Sequence, residues 1–348
     1  MSPPCEIWVT TRLPAAAAPV KRPRSVRPAL NVPFDRRVRP MNARSPMPSR
    51  ALLAAIERQR RRVWGLCYRM TGLRSEADDL SQEAIARAIE REPGLAHREG
   101  LEGWLFRIAT TVCLDHLRRR KIERRATELA DPLPTPELSA ADAGPEAAVI
   151  LRDDVRFAVV VALQHLPPRQ RAALILHEVL DRPLASVARA LGTNPSAAKQ
   201  LIVRARRALA AARVHTDVDV PVDRAVVDRL VHAIETRSVE AFTALLADDV
   251  WGVTDGGGRV RASTKPVFGA RAVARLWAAA NQRQVLAVAA RARALNGEPA
   301  VVVTLPTAGD AVMASIHVET RRGRIVALRV VRDPEKLANL QLIAAEAG

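Results

Sequence analysis

A helix-turn-helix pattern at residues 184–209 constrains the fold of this 348-residue chain more than any other feature. Residues 184–191 are small or apolar apart from Arg189 and are followed by Gly192, after which Thr193-Asn194-Pro195 predicts a turn. A longer helix is predicted from Ser196 onward, because small and apolar residues recur there at helical spacing. These residues are Ala198, Leu201, Ile202, Ala205 and Leu209. Two helices joined by such a turn are typical of a DNA-binding helix pair.

The opposite face of this second helix is polar and basic. The candidate DNA-binding residues on it are Ser196, Lys199, Gln200, Val203, Arg204 and Arg207. In a major groove, Lys or Arg reaches guanine edges, Gln pairs with adenine, and arginines further along hold phosphates. The alternative is a solvated basic helix in a plain bundle. We rank it lower because the turn, the small-residue packing and the basic face coincide.

Residues 49–126 predict a bundle of three helices. The apolar positions are Leu52, Ile56, Val63, Cys67 and Met70, then Ala77, Leu80, Ala84, Ile85 and Ala88, then Leu101, Leu105, Ile108, Val112 and Leu117. Ser75 is expected to cap the second helix. The third helix ends in the cations Arg118, Arg119, Arg120, Lys121, Arg124 and Arg125. Cations favour a helix C-terminus through the dipole, but this cluster exceeds what capping requires.

The last third of the chain changes to a mixed pattern. Helices are predicted at 222–236, 239–247 and near 270–281, and strands at 250–254, 259–263, 285–295, 300–305, 311–320 and 324–331. Asp255-Gly-Gly-Gly258, Asn296-Gly297 and Arg322-Gly323 predict hairpin-type turns. The fold class is therefore multidomain. Two all-α helical domains precede an α+β domain whose helices cover one face of a curved antiparallel sheet.

Composition sets the domain boundaries. Residues 1–48 hold ten prolines and nine Lys/Arg against two acids, which predicts a disordered basic extension, and makes Met41 or Met47 a candidate start. Residues 127–146 read as a linker, so domains are predicted at 49–126, 147–214 and 215–348. Residues 49–215 carry 28 Lys/Arg and 20 acids, net +8, whereas 216–348 carry 17 and 15, net +2. Binding of a polyanion is therefore assigned to the first two thirds of the chain.

Composition also excludes several classes of function. Cys5, Cys67 and Cys113 include no C-x-x-C pair, which excludes a disulfide framework and suits a reducing cytosol; we expect Cys67 and Cys113 to be buried. The apolar run 157–163 is far shorter than the ~20 residues of a membrane span. No metal and no cofactor is predicted, because the histidines are scattered and no glycine loop opens a helix. We expect a cytoplasmic protein without a membrane partner.

Several motifs resemble those of bacterial extracytoplasmic-function sigma factors, small members of the sigma-70 family. Glu76-Ala-Asp-Asp-Leu-Ser-Gln-Glu83, Trp104-Leu-Phe-Arg-Ile-Ala109 and Leu114-Asp-His-Leu-Arg118 are similar to region 2. Leu166-Pro-Pro-Arg-Gln-Arg-Ala-Ala173 and Val203-Arg-Ala-Arg-Arg-Ala-Leu209 are similar to region 4, the helix-turn-helix. The two blocks stand in the family's order.

The C-terminal third resembles the SnoaL-like, NTF2-like cone of one subgroup of these factors. The similar stretches are Asp255-Gly-Gly-Gly-Arg-Val260, Asn296-Gly-Glu-Pro-Ala300 and Arg332-Asp-Pro-Glu-Lys-Leu337. The chain departs from the subgroup in two places. Asp131-Pro-Leu-Pro134 lacks a Trp before Leu-Pro, and Arg332-Asp333 stands where Asn is usual.

The resemblance implies a protein that binds core RNA polymerase and directs it to promoter DNA. The implied polymerase-binding residues are Glu76, Asp78, Asp79, Gln82 and Glu83; otherwise they are ordinary first-turn acids. Opening of the minus-10 element needs cations and a pocket for an unstacked base, which implies His97, Arg98, Arg118, Arg119, Arg120 and Lys121. The helix beginning at Ser196 would read the minus-35 element. Trp104 and Phe106 are aromatic candidates near the strand, and we expect Trp104 to lie in the core.

For the C-terminal domain we favour a regulatory role with no known ligand. The implied residues are Asp255, Gly256, Gly257, Gly258, Asp333, Pro334, Lys336 and Leu337. One alternative is a cyclase or isomerase with attached DNA-binding domains, for which His232, His317, Asp248, Asp249 and Asp255 could supply an acid/base pair. The other is a helix-turn-helix repressor. A repressor has no use for the residues at 76–83 and 104–118.

Overall fold

The computed structural model describes residues 48–92, 100–125, 133–138, 156–212, 221–263, 265–284 and 286–344. Residues 1–47 of the predicted extension, the loop with His97 and Arg98, and most of the predicted linker lie outside these ranges. None of the helices in the described ranges is long and apolar enough to cross a membrane.

Three helices form the first bundle, as predicted: α1 (Arg50–Thr71), α2 (Arg74–Arg91) and α3 (Leu101–Arg125). The Ser49 hydroxyl caps α1 by accepting a hydrogen bond from the Leu52 N–H at 3.1 Å. The predicted Ser75 cap is wrong, because α2 already begins at Arg74. The Arg74 N–H donates instead to the Thr135 hydroxyl at 3.2 Å, so a linker residue satisfies this helix end.

The second helical block contains the predicted helix-turn-helix. Its elements are α4 (Phe157–Gln164), α5 (Pro168–Leu174), a π-helical turn (Ile175–Val179), α6 (Leu184–Ala190) and α7 (Pro195–Ala212). Apolar side chains of both blocks form one continuous core, from Met70 in α1 to Leu163 in α4 and Val187 in α6. The blocks also share hydrogen bonds, since the Gln164 amide donates to the Arg69 carbonyl at 3.2 Å. The two helical blocks are therefore packed directly against each other.

The C-terminal domain has the predicted α+β class. Its elements are α8 (Arg224–Glu235), α9 (Val239–Ala244), β1 (Leu246–Asp255), β2 (Val267–Phe268), α10 (Ala270–Arg283), β3 (Ala289–Leu295), β4 (Glu298–Leu305), β5 (Ala311–Arg321), β6 (Arg324–Val331) and α11 (Pro334–Ala344). Within the described ranges one six-stranded sheet has the order β2-β1-β6-β5-β4-β3. Asn296-Gly297 and Arg322-Gly323 are the predicted two-residue hairpin turns, with positive φ at all four residues.

Three predictions for this sheet are wrong. The sheet is mixed, because β1 and β6 pair in parallel. Residues 259–263 are not a strand, since the N–H groups of Arg259 and Val260 both turn back to the Gly256 carbonyl. For the same reason Asp255-Gly-Gly-Gly258 is not a hairpin between strands. Helix α11 was not predicted from the sequence.

The sheet packs on both faces. On one face, residues of α8, α9 and α10, such as Leu230, Phe242 and Val273, form a core with the strands. On the other face, a second cluster joins Leu337 and Leu340 of α11 to Leu133 of the linker and Phe157 of α4. The second face therefore holds the C-terminal domain to the helical blocks.

Candidate DNA-binding surfaces and the linker anchor

The structure exposes the predicted reading face of α7. The Asn194 side chain caps the N-terminus of α7 by accepting a hydrogen bond from the Ala197 N–H at 2.8 Å. The predicted residues Ser196, Lys199, Gln200, Arg204 and Arg207 are exposed, and Val203 is half-buried. Behind them Ala198, Ile202 and Ala205 are buried in the helical core. This separation of faces leaves the basic side of α7 available to a DNA groove.

The α3 cations do not all lie at the surface. Arg118, Arg119 and Lys121 are exposed, whereas Arg120 is half-buried. The Arg120 guanidinium donates to Glu76 of α2 at 2.9 Å. One predicted DNA-binding residue is therefore paired with one predicted polymerase-binding residue inside the first bundle.

The acidic side of α2 is also partly engaged. Asp79 and Gln82 are exposed, as docking to a partner requires. Asp78 accepts a hydrogen bond from the Trp64 indole at 2.6 Å, and Glu83 pairs with Arg87 one turn further on. Sequence periodicity gives the face of a helix but not these side-chain partners.

The aromatic residues of α3 differ from expectation. Phe106 is 1% exposed and lies under the Arg182 guanidinium, 4.4 Å from its ring centroid. Trp104 is half-buried at the edge of the same core. Phe106, rather than Trp104, is therefore the core aromatic, because it faces the second helical block.

Most predicted regulatory residues converge on the linker. The Leu133 N–H donates to Asp255 Oδ2 at 2.8 Å, and Lys336 Nζ donates to the Leu133 carbonyl at 2.5 Å. Lys336 also pairs with Asp255 at 2.5 Å, and burial lowers the pKa of Lys336 while Asp255 opposes that shift. We call Leu133, Asp255 and Lys336 the linker anchor. Leu337 packs beside it, in the cluster that contains Leu133.

The glycine loop braces this anchor. The Gly257 N–H donates to Asp255 Oδ1 at 2.8 Å, and Gly257 has φ 60°. A Cβ at Gly257 would overlap the Asp333 carboxyl, so only glycine fits there. Asp333 pairs with Arg259 at 3.3 Å, which ties the loop to the start of α11. Gly258 and Pro334 are exposed.

A second contact of the linker includes residues that were not among the predicted site residues. The Tyr68 hydroxyl of α1 donates to the Thr135 carbonyl at 2.7 Å and accepts from the Asn296 amide at 3.1 Å. The Glu137 N–H donates to Asn296 Oδ1 at 3.0 Å. We call Tyr68, Thr135, Glu137 and Asn296 the Asn296 contact. It joins α1, the linker and the turn between β3 and β4. In the sequence, the one indication of this contact is that Asn296 stands in a family-like motif.

The Glu137 carboxyl of this contact is buried. It pairs with Arg74, yet one of its oxygens has no hydrogen-bond partner in the described structure. Burial raises the pKa of Glu137 to about 7, and Arg74 opposes the shift only in part. The linker therefore carries a carboxyl that titrates near neutral pH.

The proposed acid/base residues of the C-terminal domain face different partners. His232, Asp248 and Asp249 are exposed, and Asp249 pairs with Arg321 at 2.5 Å. His317 is buried against Phe157, and burial lowers its pKa to about 3. Asp255 belongs to the linker anchor. The structure thus brings none of these residues together as an acid/base pair.

Comparisons with known proteins agree with this architecture. Family models of Sigma-70 region 2 and Sigma-70 region 4 match residues 55–122 and 156–209. The ECF RNA polymerase sigma factor SigJ of Mycobacterium tuberculosis is 33% identical over 299 residues, which cover 83% of this chain and 94% of SigJ. SigG of the same species is 38% identical over 219 residues, covering 55% of this chain and 59% of SigG, so the chain spans less than two thirds of that relative.

A solved structure extends the likeness to the C-terminal domain. The crystal structure of the M. tuberculosis extracytoplasmic function sigma factor SigJ matches with a TM-score of 0.62 and 27% identity, over 82% of this chain and 98% of that chain. Two helical sigma regions and a fused α+β domain define a sigma-70-type protein with a C-terminal extension. Within that class, the chain belongs to the ECF RNA polymerase sigma factors. The predicted family and its SnoaL-like extension are confirmed.

Proposed function

We propose that this chain acts in the cytoplasm, binds core RNA polymerase and directs it to promoters. Region 4 would read the minus-35 element with α7, while region 2 opens the minus-10 element with the exposed cations of α3. The observation that carries the proposal is the exposed basic face of α7, with Lys199, Gln200 and Arg204 beside a capped turn. The exposed residues Asp79 and Gln82 on α2 would contact the polymerase.

Regions 2 and 4 are packed against each other, which we call the closed arrangement, and this packing limits how they can bind a promoter. Promoter elements about 25 base pairs apart are separated by roughly 80 Å along B-form DNA. Regions 2 and 4 share one core here, with Arg182 of region 4 stacked on Phe106 of region 2. The two regions therefore have to separate before both elements can be bound.

The C-terminal domain favours the closed arrangement. It binds the linker between regions 2 and 4 through Leu133 and through Glu137. It also reaches region 2 directly, through the hydrogen bond from Asn296 to Tyr68. We infer that the domain regulates promoter binding by restraining the linker, and that it does so without a reaction of its own.

The enzyme alternative has less support. A general base must reach a substrate with a free lone pair and a suitable pKa. His317 is 5% exposed and lies under Phe157, and Asp255 is occupied by Leu133 and Lys336. The repressor alternative leaves the exposed cations of α3 unexplained.

Promoter-dependent transcription with bacterial core polymerase tests the proposal. The full chain would be supplied with a pool of random upstream DNA, and the transcribed templates would be sequenced. We expect specific transcripts with shared motifs at both elements, and their loss in a Lys199→Ala/Arg204→Ala variant. Failure of the full chain to bind core polymerase would reject the sigma function. Tight, specific binding to duplex DNA without polymerase would favour a repressor.

A further inference from the structure

Region 4 touches the C-terminal domain directly, through residues other than those of the linker anchor. Phe157, the first residue of α4, stacks on His317 of β5 with ring centroids 3.7 Å apart and planes 10° from parallel. Phe157 is 1% exposed and His317 is 5% exposed. Both sides of the contact are therefore buried from solvent.

An ion pair lies beside this stack. Arg156, the residue before α4, pairs through its Nε with Glu298 at the start of β4. Burial raises the pKa of Glu298, and Arg156 opposes that shift. Adjacent residues of region 4 thus reach two neighbouring strands of the sheet, one with a ring and one with a charge.

Helix α4 transmits this contact to region 4 because it is apolar on two sides. Val160 and Leu163 are buried in the core shared by regions 2 and 4. Phe157 and Val161 pack instead in the cluster on the sheet. A helix that is apolar all round requires a partner on each side, and α4 finds one in the helical core and the other in the cluster on the sheet.

His317 is suited to stacking rather than to proton transfer. Its cross-strand neighbour is Arg329, which pairs with Glu319 at 2.5 Å. Burial, with the positive charge of Arg329, lowers the pKa of His317 to about 3. The imidazole is therefore neutral at physiological pH, and its Nε2 lies 3.3 Å from the Ser315 hydroxyl.

We propose that Arg156 and Phe157, held by Glu298 and His317, form a latch that positions region 4 on the sheet and must open before α7 can reach its promoter element. Glu298 and His317 are positioning residues, since they contact region 4 and not DNA. The latch deepens the regulatory function proposed above. The claim that it must open before α7 binds its promoter element rests on that function. The claim that these residues restrain region 4 does not, and it can be tested in the free protein.

Cross-linking across the ion pair tests the requirement for opening. In an Arg156→Cys/Glu298→Cys/Cys5→Ser chain, a short bis-maleimide with an internal disulfide would join the two introduced thiols. Cys67 and Cys113 are fully buried and should not react. We expect cross-linking to lower promoter-dependent transcription more than roughly tenfold, and reduction to restore it. Each single-cysteine variant, treated identically, serves as the control.

The outcomes of this experiment are distinct. Equal transcription before and after reduction would show that the latch need not open, and would overturn the proposal. Absence of transcription in both states, and in the untreated native chain, would reject the sigma function instead.

A distance measurement in the free protein tests the restraint itself. Spin labels at Ala210→Cys in region 4 and Thr243→Cys in α9 would report their separation in the Cys5→Ser background. Phe157→Ala should broaden the distance distribution. Val160→Ala is the matched control, because it removes a buried side chain of the same helix from the shared core and not from the latch. Equal distributions in the Phe157→Ala and native chains would contradict the latch.

Discussion

Lys336 Nζ lies 2.5 Å from Asp255 Oδ2, and the two side chains bind both backbone polar groups of Leu133. Asp255 ends β1 and Lys336 lies in the first turn of α11, so the pair forms only when both elements are in place. Each side chain is less than a tenth exposed. A buried ion pair that binds a backbone segment specifies where that segment lies, because displacement of the segment removes its N–H and C=O groups from their charged partners.

Replacing Lys336 therefore should release the linker. Lys336→Met leaves the buried Asp255 carboxylate without its cation, which we expect to cost about 4 kcal/mol. Hydrogen exchange of residues 133–138 should accelerate accordingly. Lys265→Met, which removes an exposed lysine of the same domain, is the control and should leave this exchange unchanged. Unaltered exchange in Lys336→Met would mean that the anchor does not hold the linker.

The buried Glu137 carboxyl predicts a pH dependence. Burial raises its pKa from the ordinary value of 4.5 to about 7, so between these two pH values the folded chain holds a proton that the unfolded chain releases. Stability conferred by this group is present below pH 4.5 and is lost as pH rises toward 7. The full shift corresponds to about 3 kcal/mol.

Urea unfolding of the native chain and of the Glu137→Gln variant, at pH 5 and at pH 8, measures this contribution to the free energy of unfolding. The variant cannot ionise, so it should gain stability relative to the native chain as pH rises. A difference between the two proteins that is the same at both pH values would rule out titration of Glu137.

The face of α7 predicts two kinds of binding defect. Lys199→Ala or Gln200→Ala should cost roughly 1–3 kcal/mol at one base pair of the minus-35 element, since each loses a base contact. Arg204→Ala or Arg207→Ala should weaken binding to all sequences and reduce its salt dependence. Polymerase-bound affinity would be measured on single-base promoter variants at several salt concentrations.

The control for these variants is Arg283→Ala, which removes an exposed arginine from α10. It should leave both affinity and specificity unchanged. A uniform loss from all four α7 variants, with no base preference altered, would disprove the assignment of base-reading residues.

The Asn296 contact predicts coupling between region 2 and the C-terminal domain. Asn296→Gly keeps a residue suited to the φ of 52° found there but removes the amide that binds Tyr68 and Glu137. We expect a loss of about 1–3 kcal/mol, because a buried hydroxyl and a buried N–H lose partners. Tyr68→Phe should cost less, and the double variant less than the sum of the two. Additive effects in this double-mutant cycle would show that the two residues act independently.

The sequence predicted elements better than it predicted contacts. The helix pair at 184–209 and the strand at β6 follow from periodicity, because local patterns set which side of each element is buried. The parallel pairing of β1 with β6 does not, since it depends on a strand far along the chain. Periodicity also does not show that the side chain of Phe157 packs on His317 of the C-terminal domain and not in the core of its own region.

The residues proposed for regulation were predicted through the family-like motifs, and this prediction was incomplete for a physical reason. Asp255 and Lys336 stand in such motifs, whereas Tyr68 is one apolar-face residue of a long helix. Its hydroxyl gains a role only when Thr135 and Asn296 approach it. The linker itself has no apolar period, yet residues 133–137 are buried because partners on both sides satisfy its backbone.

The separation of regions 2 and 4 on promoter binding is the decisive measurement. Fluorescent labels at Leu53→Cys in α1 and Ala210→Cys in α7, both exposed positions, would report the distance by energy transfer in the Cys5→Ser background. Efficient transfer is expected in the free chain, where the regions share one core. In the complex with core polymerase and promoter it should fall sharply, as elements roughly 80 Å apart require. Transfer that stays unchanged in complexes active in transcription would contradict the closed, restrained state described here.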